Sequence, residues 1–240
     1  MARITKTRDV QSFSEVIVQG YGDVVLEQGE TEGVVVEADE RMMPKLKTSV
    51  RDGRLFLGFR FRWWEWITWW WAWLFIRDKR IHYRVSLRDF RGVSISGSGN
   101  VTAEQLRGDE CQLRISGSGR VQVERLSCQS VATRISGSGV VRIGELECQS
   151  AATHISGSGD VSLAGKAERQ EIRISGSGKL NAPDFETGET DVRISGSGRA
   201  TLHALQMLNV RISGSGSIDY RGQPQVSKHI SGRGRVREMS

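Results

Sequence analysis

One pentapeptide dominates this sequence of 240 residues. Ile-Ser-Gly-Ser-Gly occurs seven times, and an eighth copy reads Ile-Ser-Gly-Arg-Gly. The copies begin 18 to 20 residues apart, at Ile95, Ile115, Ile135, Ile155, Ile174, Ile194, Ile212 and Ile230. A fixed interval of this length is typical of solenoid proteins, in which each repeat stacks on the one before it.

Apolar and polar residues alternate on both sides of the pentapeptide. Around the second copy, Leu113 and Ile115 flank Arg114, and Val121 and Val123 continue the alternation after the glycines. A period of two predicts β-strands, and the glycines predict tight corners between them. We therefore predict an all-β fold, a parallel β-helix (β-solenoid) of about eight coils, with three short strands in each coil of roughly 20 residues. An antiparallel sandwich would not explain why identical residues recur at a fixed offset.

A fainter copy of the motif, VQGYGDV, begins at Val18 and aligns with ISGSGNV from Ile95. Together with the segments FSEVIVQGYGDVVLEQG, VVVEADE and VRDGRLFLGF, the repeats resemble the bacterial auto-transporter adhesin head GIN domain family over residues 9–237. The resemblance implies a right-handed single-stranded β-helix without known enzymatic activity. The family name also implies a role in surface adhesion.

Composition and charge limit the partners and the compartment. A net charge of +6 favours anionic partners, but the basic residues form no dense patch, so we expect no nucleic acid partner. The N-terminal MARITKTRDVQSF has no apolar run of a secretory signal, and an odd count of three cysteines indicates a reducing compartment. We therefore expect a cytoplasmic protein, or a cell-surface protein if an export signal was removed.

The residue before the motif isoleucine is basic or titratable in seven successive coils. A solenoid would stack these residues into one outward row: Arg114, Arg134, His154, Arg173, Arg193, Arg211 and His229. One interpretation is a solvated face whose charges are balanced by flanking acids such as Glu171 and Asp191. The other is a track for an anionic polymer or a lipid surface.

The sequence contains no constellation typical of an enzyme. The glycine-rich runs lack the Gly-Lys-Ser/Thr and the strand–loop–helix context of a phosphate loop. Cys128 and Cys148 are expected to stack in consecutive coils, as small buried thiols rather than as a disulfide. With no Cys-x-x-Cys and scattered histidines, we predict no metal site, no cofactor and no small-molecule substrate.

All seven tryptophans lie between Trp63 and Trp73. The alternating segments on either side, from Leu55 and from Ile81, predict two strands that pair as the stem of a β-hairpin, with a short helix at its tip. We therefore divide the sequence into an irregular β section (1–58), a Trp-rich insertion (59–79) and the regular β-helix (80–240).

So many indoles cannot fit inside a narrow solenoid, and left exposed they would form a patch larger than a soluble monomer tolerates. The 14 apolar residues 63–76 reach only about 21 Å as a helix, too short for a bilayer core of roughly 30 Å. The contacts with a membrane or an oligomer partner are expected at Trp63, Trp64, Trp66, Ile67, Trp69, Trp70, Trp71, Trp73, Leu74 and Phe75. The contacts with anionic lipid are expected at Arg60, Arg62, Arg77, Lys79 and Arg80.

Three functional hypotheses follow from this insertion. The first is a non-enzymatic scaffold, peripheral at the inner membrane and a homo-oligomer, that dips the insertion into one leaflet of an anionic membrane. The second is a module whose insertion is covered by protein alone, either a second copy or another partner. The third is an adhesin-like surface protein whose indoles stack on sugar rings.

Overall fold

The computed structural model describes residues 3–59 and 81–239. These residues are almost entirely β-structure, with one turn of 3-10 helix at Met43–Lys45. The strands are β1 (Arg3–Arg8), β2 (Glu15–Gly20), β3 (Asp23–Gln28), β4 (Gly33–Asp39), β5 (Leu46–Arg51), β6 (Arg54–Phe59), β7 (His82–Leu87), β8 (Gly92–Gly97), β9 (Asn100–Gly117), β10 (Arg120–Gly137), β11 (Val140–Gly157), β12 (Asp160–Gly176), β13 (Lys179–Gly196), β14 (Arg199–Gly214), β15 (Ser217–Arg221), β16 (Gln225–Gly232) and β17 (Arg235–Glu238).

The chain forms a parallel β-solenoid in which each coil pairs with the next in register. Ile135 of β10 pairs with Ile115 of β9 on one side and with Ile155 of β11 on the other. Each motif isoleucine from Ile95 to Ile212 is buried, as are the alternating valines and leucines that follow the glycines. The predicted fold is therefore confirmed. It has about seven turns rather than eight, because only the short strand β17 follows the last motif.

Each regular coil has three sides, as the alternation predicted. The pairing of β10 with β9 is interrupted at Glu124 and again at Gln129. The third interruption is the corner at Ser118 and Gly119, between β9 and β10. Here Gly117 has a φ of +127°, and its carbonyl accepts a hydrogen bond of 2.9 Å from the amide of Ser138 in the next coil. Glycine is required because an L side chain disfavours this backbone conformation.

The N-terminal section continues the stack and then closes it. Val18 pairs with Ile95, which confirms the alignment of the faint first motif. Strands β6 and β7 lie on the far side of β2 and β3 and run parallel to them. Beyond them, β5 pairs antiparallel with β6, while β4 pairs antiparallel with β7 and β1 with β4. The solenoid is thus closed at this end by antiparallel strands.

The predicted hairpin stem is wrong. Strand β6 does not pair with β7 within the described residues, because both edges of β6 are occupied by β2 and β5. Both edges of β7 are likewise occupied, by β3 and β4. The two strands instead form consecutive sides of the outermost coil. Phe59 and Ile81, the described residues on either side of the insertion, therefore lie where a regular coil has its glycine corner.

Candidate functional site

The predicted row of basic residues exists in the structure. The register pairs Arg114 with Arg134, and each following member with the next, to His229. Six members are exposed and His154 is half-buried. We call this set the Arg/His row: Arg114, Arg134, His154, Arg173, Arg193, Arg211 and His229. Its members alternate with buried residues along each strand, so that they share the outer face of one side of the solenoid.

A second row lies beside the Arg/His row on the same outer face. The serine after each motif isoleucine stacks in register with its equivalents and is exposed. We call it the serine row: Ser116, Ser136, Ser156, Ser175, Ser195, Ser213 and Ser231. Two residues before each basic residue, a third row completes the face: Gln112, Ala132, Ala152, Glu171, Asp191, Asn209 and Ser227. The face from β9 to β16 thus carries cations, hydroxyls and small or polar groups.

Few carboxylates neutralise the Arg/His row. Arg173 forms a salt bridge with Glu171, and its guanidinium donates to Nε2 of His154 at 3.3 Å. Arg114 donates instead to the amide oxygen of Gln112 at 2.6 Å. Partial burial lowers the pKa of His154, and the neighbouring cations Arg173 and Arg134 lower it further. The row is therefore a region of positive potential in which an added positive charge is unfavourable.

The Trp-rich insertion begins and ends beside one corner of the solenoid. The ring of Phe59 packs against that of Tyr21, with centroids 4.9 Å apart, and the carbonyl of Ile81 accepts a hydrogen bond of 2.8 Å from the amide of Asp23. Tyr21 and Gly22 form the corner between β2 and β3, equivalent to the glycine corners of the regular coils. The chain thus leaves the described part of the outermost coil and returns to it beside this corner.

The predicted contact residues of the insertion lie outside the described residues. They are the apolar group Trp63, Trp64, Trp66, Ile67, Trp69, Trp70, Trp71, Trp73, Leu74 and Phe75, and the basic group Arg60, Arg62, Arg77, Lys79 and Arg80. The Arg/His row does not reach the corner from which they depart. The equivalent positions in the three coils nearest the insertion are Phe56, Ile17 and Ser94, which carry no charge.

Three cysteines, rather than the predicted two, form a cluster at another corner. The pairs Leu126–Leu146 and Ser130–Ser150 place Cys128 and Cys148 at the same position of consecutive coils, as predicted. Cys111 joins them across the bend of β9, and all three thiols are free. Hydrogen bonds from Cys111 and Cys148 lower the pKa of Cys128, while the bond to Cys128 and burial raise the pKa of both neighbours. Cys111 is buried, but the other two are half-buried.

The last coil leaves the C-terminal end of the solenoid open. Within the described residues, β16 pairs only with β14, and β17 only with β15. Ile230, whose equivalents in earlier coils are buried, is 37% exposed here, and Val226 and Val236 are only partly buried. An unpaired strand edge beside exposed apolar groups can accept another strand or another chain.

The described residues contain no group of three or more His, Cys, Asp or Glu side chains arranged to hold a metal ion. Within the same ranges, no helix has the length and apolar character needed to cross a bilayer.

Comparisons with known proteins agree with this architecture. Residues 12–224 match the family described as "Putative auto-transporter adhesin, head GIN domain". This chain belongs to the GIN domain family. No curated protein matches the GIN domain sequence significantly.

Solved structures share the GIN domain fold over its whole length. A "putative adhesin" from Parabacteroides merdae is 25% identical, with a TM-score of 0.90 over 99% of this chain and 96% of that one. Two proteins from Parabacteroides distasonis each match 99% of this chain and 97% of their own. One, a "putative lipid binding protein", is 21% identical with a TM-score of 0.90, and the other, a "putative adhesin", is 24% identical with a TM-score of 0.89. These names denote adhesion or lipid binding, not enzymes.

Proposed function

We propose that this GIN domain protein is a non-enzymatic scaffold that binds reversibly to an anionic membrane surface through its Trp-rich insertion and associates with further copies of itself. The observation that carries the proposal is the composition of the insertion. Seven tryptophans fall between Trp63 and Trp73, with basic residues at both ends of the apolar segment. Tryptophan favours the headgroup region of a bilayer, and basic residues favour an anionic leaflet.

The solenoid cannot supply a cover for this much indole. Its interior is filled mainly by valine, isoleucine, leucine and alanine side chains of the stacked coils. Each tryptophan offers roughly 150–250 Å² for burial, and transfer from water stabilises by about 25 cal/mol per Å². Three or four inserted tryptophans therefore contribute several kcal/mol, enough for reversible binding before lipid charge adds its share.

The position of the insertion supports this role. The chain leaves the solenoid at Phe59 and re-enters at Ile81, beside the same corner. The large hydrophobic residues exposed elsewhere in the described chain are few: Val25, Leu205, Met207 and Ile230. Leu205 and Met207 lie two residues apart on β14, while Val25 and Ile230 lie on other strands, so these residues form only small apolar patches. The same fold occurs in a protein described as lipid binding, so it is compatible with a lipid surface.

Self-association and location complete the proposal. The unpaired edges of β16 and β17, with Ile230 exposed beside them, support contact with another copy. We place the protein at the cytoplasmic side of the inner membrane, because that surface attracts basic segments.

A flotation experiment tests the membrane contact. The parent protein and a variant in which four tryptophans are replaced by serine are mixed with vesicles of phosphatidylcholine and phosphatidylglycerol, or of phosphatidylcholine alone. The replaced residues are Trp66, Trp69, Trp70 and Trp73. We expect the parent to float with the anionic vesicles and the variant to remain in the soluble fraction, with unchanged β-rich circular dichroism.

A matched control separates this contact from general hydrophobicity. Replacing Leu205 and Met207 with serine removes exposed apolar surface from β14, near the other end of the solenoid, and should leave flotation unchanged. Equal flotation of the tryptophan variant and the parent would disprove the membrane contact. If neither floats, and light scattering shows that only the parent forms oligomers, protein rather than lipid covers the insertion. Should the parent instead bind neutral glycans through the tryptophans, the adhesin-like alternative is correct.

A further inference from the structure

The Arg/His row is a straight, evenly spaced line of cations. Neighbouring strands of a sheet lie about 4.8 Å apart, so six intervals from Arg114 to His229 span roughly 29 Å. Each member of the row pairs directly with the next, so that the line is not displaced between coils. A ligand that follows it must therefore be extended and must carry repeated negative charges.

Most of these cations have no acidic partner. Among the described residues, only Arg173 of the row forms a salt bridge, to Glu171. Within the three rows Asp191 is the only other acid, while Glu110 and Glu189 lie one position further toward the corner on the same side. Like charges stacked in adjacent coils repel each other unless an anion lies along them. The excess is clearest in β9 and β10, where Arg114 and Arg134 stack on each other and the third row holds only Gln112 and Ala132 beside them.

The neighbouring side chains define the kind of anion. The serine row places an exposed hydroxyl beside every cation, so a ligand with its own hydroxyls finds both donors and acceptors. The three rows hold no Phe, Tyr or Trp side chain, the large aromatic platforms on which nucleobases stack in single-strand binding proteins. The three rows also hold no large apolar side chain that could enter a bilayer, and the exposed Met207 lies at the edge of the face, one position beyond the third row. The face therefore fits a hydroxylated polymer better than nucleic acid or lipid.

We propose that this face binds a linear acidic polysaccharide, with its carboxylate or sulfate groups along the Arg/His row and its hydroxyl groups against the serine row. This activity is separate from membrane binding by the Trp-rich insertion. The row begins three coils away from the corner where the insertion departs.

Binding of heparin oligosaccharides, measured by isothermal titration calorimetry, tests the proposal. The row variant replaces Arg134, Arg193 and Arg211 with glutamine, and the matched control replaces Arg107, Arg125 and Arg142, which are exposed on other sides. Both variants lose three positive charges. We expect the row variant to bind at least about tenfold more weakly than the parent, and the control to stay within about twofold.

A gain of affinity provides a second, independent measurement. Replacing Glu171 with glutamine and Asp191 with asparagine removes the two acids from the three rows, and should tighten binding several-fold while raising its dependence on salt. If the row variant and the arginine control lose the same amount of heparin affinity, the effect is a nonspecific one of net charge and the proposal is overturned. So would parent-like binding by the row variant, or tighter binding of a single-stranded oligonucleotide or of anionic vesicles through this face.

Discussion

Gly159 lies against Ile135 of the preceding coil so closely that a β-carbon on the glycine would be 2.6 Å from the Cγ2 methyl of the isoleucine. The same contact recurs between Gly178 and Ile155, where the distance would be 2.5 Å. The last position of each motif must therefore be glycine, because the isoleucine stacked beside it leaves no room for a β-carbon. This contact explains why the two residue types repeat together at the period of the coil.

Gly159→Ala should lower the free energy of unfolding by about 1–3 kcal/mol, because the added carbon overpacks a filled position. Chemical denaturation followed by circular dichroism measures the change. Ser158→Ala is the control, since Ser158 is exposed at the same corner, and it should change stability by less than about 0.5 kcal/mol. When Ile135 is also replaced by alanine, Gly159→Ala should lower the free energy of unfolding by a smaller amount. Strict additivity of the two substitutions would contradict this contact.

Gln170→Met should leave stability unchanged or raise it by about 1 kcal/mol. Gln170 is 2% exposed, and neither atom of its side-chain amide has a hydrogen-bond partner among the described protein groups. Thr190, which stacks on Gln170 in the next coil, is the contrasting case because its hydroxyl lies 2.6 Å from that of Thr187. Thr190→Val should destabilise the protein. A clear loss of stability in Gln170→Met would show that the side-chain amide of Gln170 forms hydrogen bonds in the folded protein, and would contradict this prediction.

Cys128 should be the most reactive of the three thiols in mildly acidic solution. Its pKa is lowered by hydrogen bonds from Cys111 and Cys148, so its thiolate persists at a pH where an ordinary cysteine is protonated. Iodoacetamide labelling, followed by mass spectrometry of the peptides, gives the rate for each residue as a function of pH. Replacing both Cys111 and Cys148 with alanine should slow labelling of Cys128 at low pH. Faster labelling of Cys148 in the parent would refute this order.

His154 should make the protein less stable as the solution becomes acidic. Its pKa in the folded state lies below the ordinary value of 6.5, so the unfolded chain binds the proton first as the pH falls. Above pH 6.5 both states are neutral at this residue and the effect vanishes. Compared with the parent, His154→Gln should lose less stability between neutral pH and the folded pKa. Parallel pH profiles for the two proteins would rule out this contribution.

Two features of the site follow directly from the sequence, because the period of the repeat determines them. Once Ile115 and Ile135 are placed in adjacent coils, Arg114 must stack on Arg134. The same offset places Cys128 on Cys148. In a solenoid, distance along the chain translates into position in space as long as the period is constant.

The errors arose where contacts do not follow that period. Cys111 is 17 positions before Cys128, less than a coil, and approaches it only because the chain bends at the corner between them. The alternation around Leu55 and Tyr83 correctly predicted strands but contained no information on their partners. Alternation on both sides of a long insertion is typical of a hairpin stem, whereas here each strand completes a side of the outermost coil.

The in-register stacking of β9, β10 and β11 has a genetic consequence. Deleting residues 120–139 would join Gly119 to Val140 and bring β11 onto β9, with isoleucine again on isoleucine and glycine again on glycine. Unequal recombination between the similar DNA segments that encode adjacent coils would therefore shorten or lengthen the protein by whole turns and leave it foldable. The closed N-terminal end, with the Trp-rich insertion, would be inherited unchanged, so that the length of the solenoid can evolve independently of the insertion.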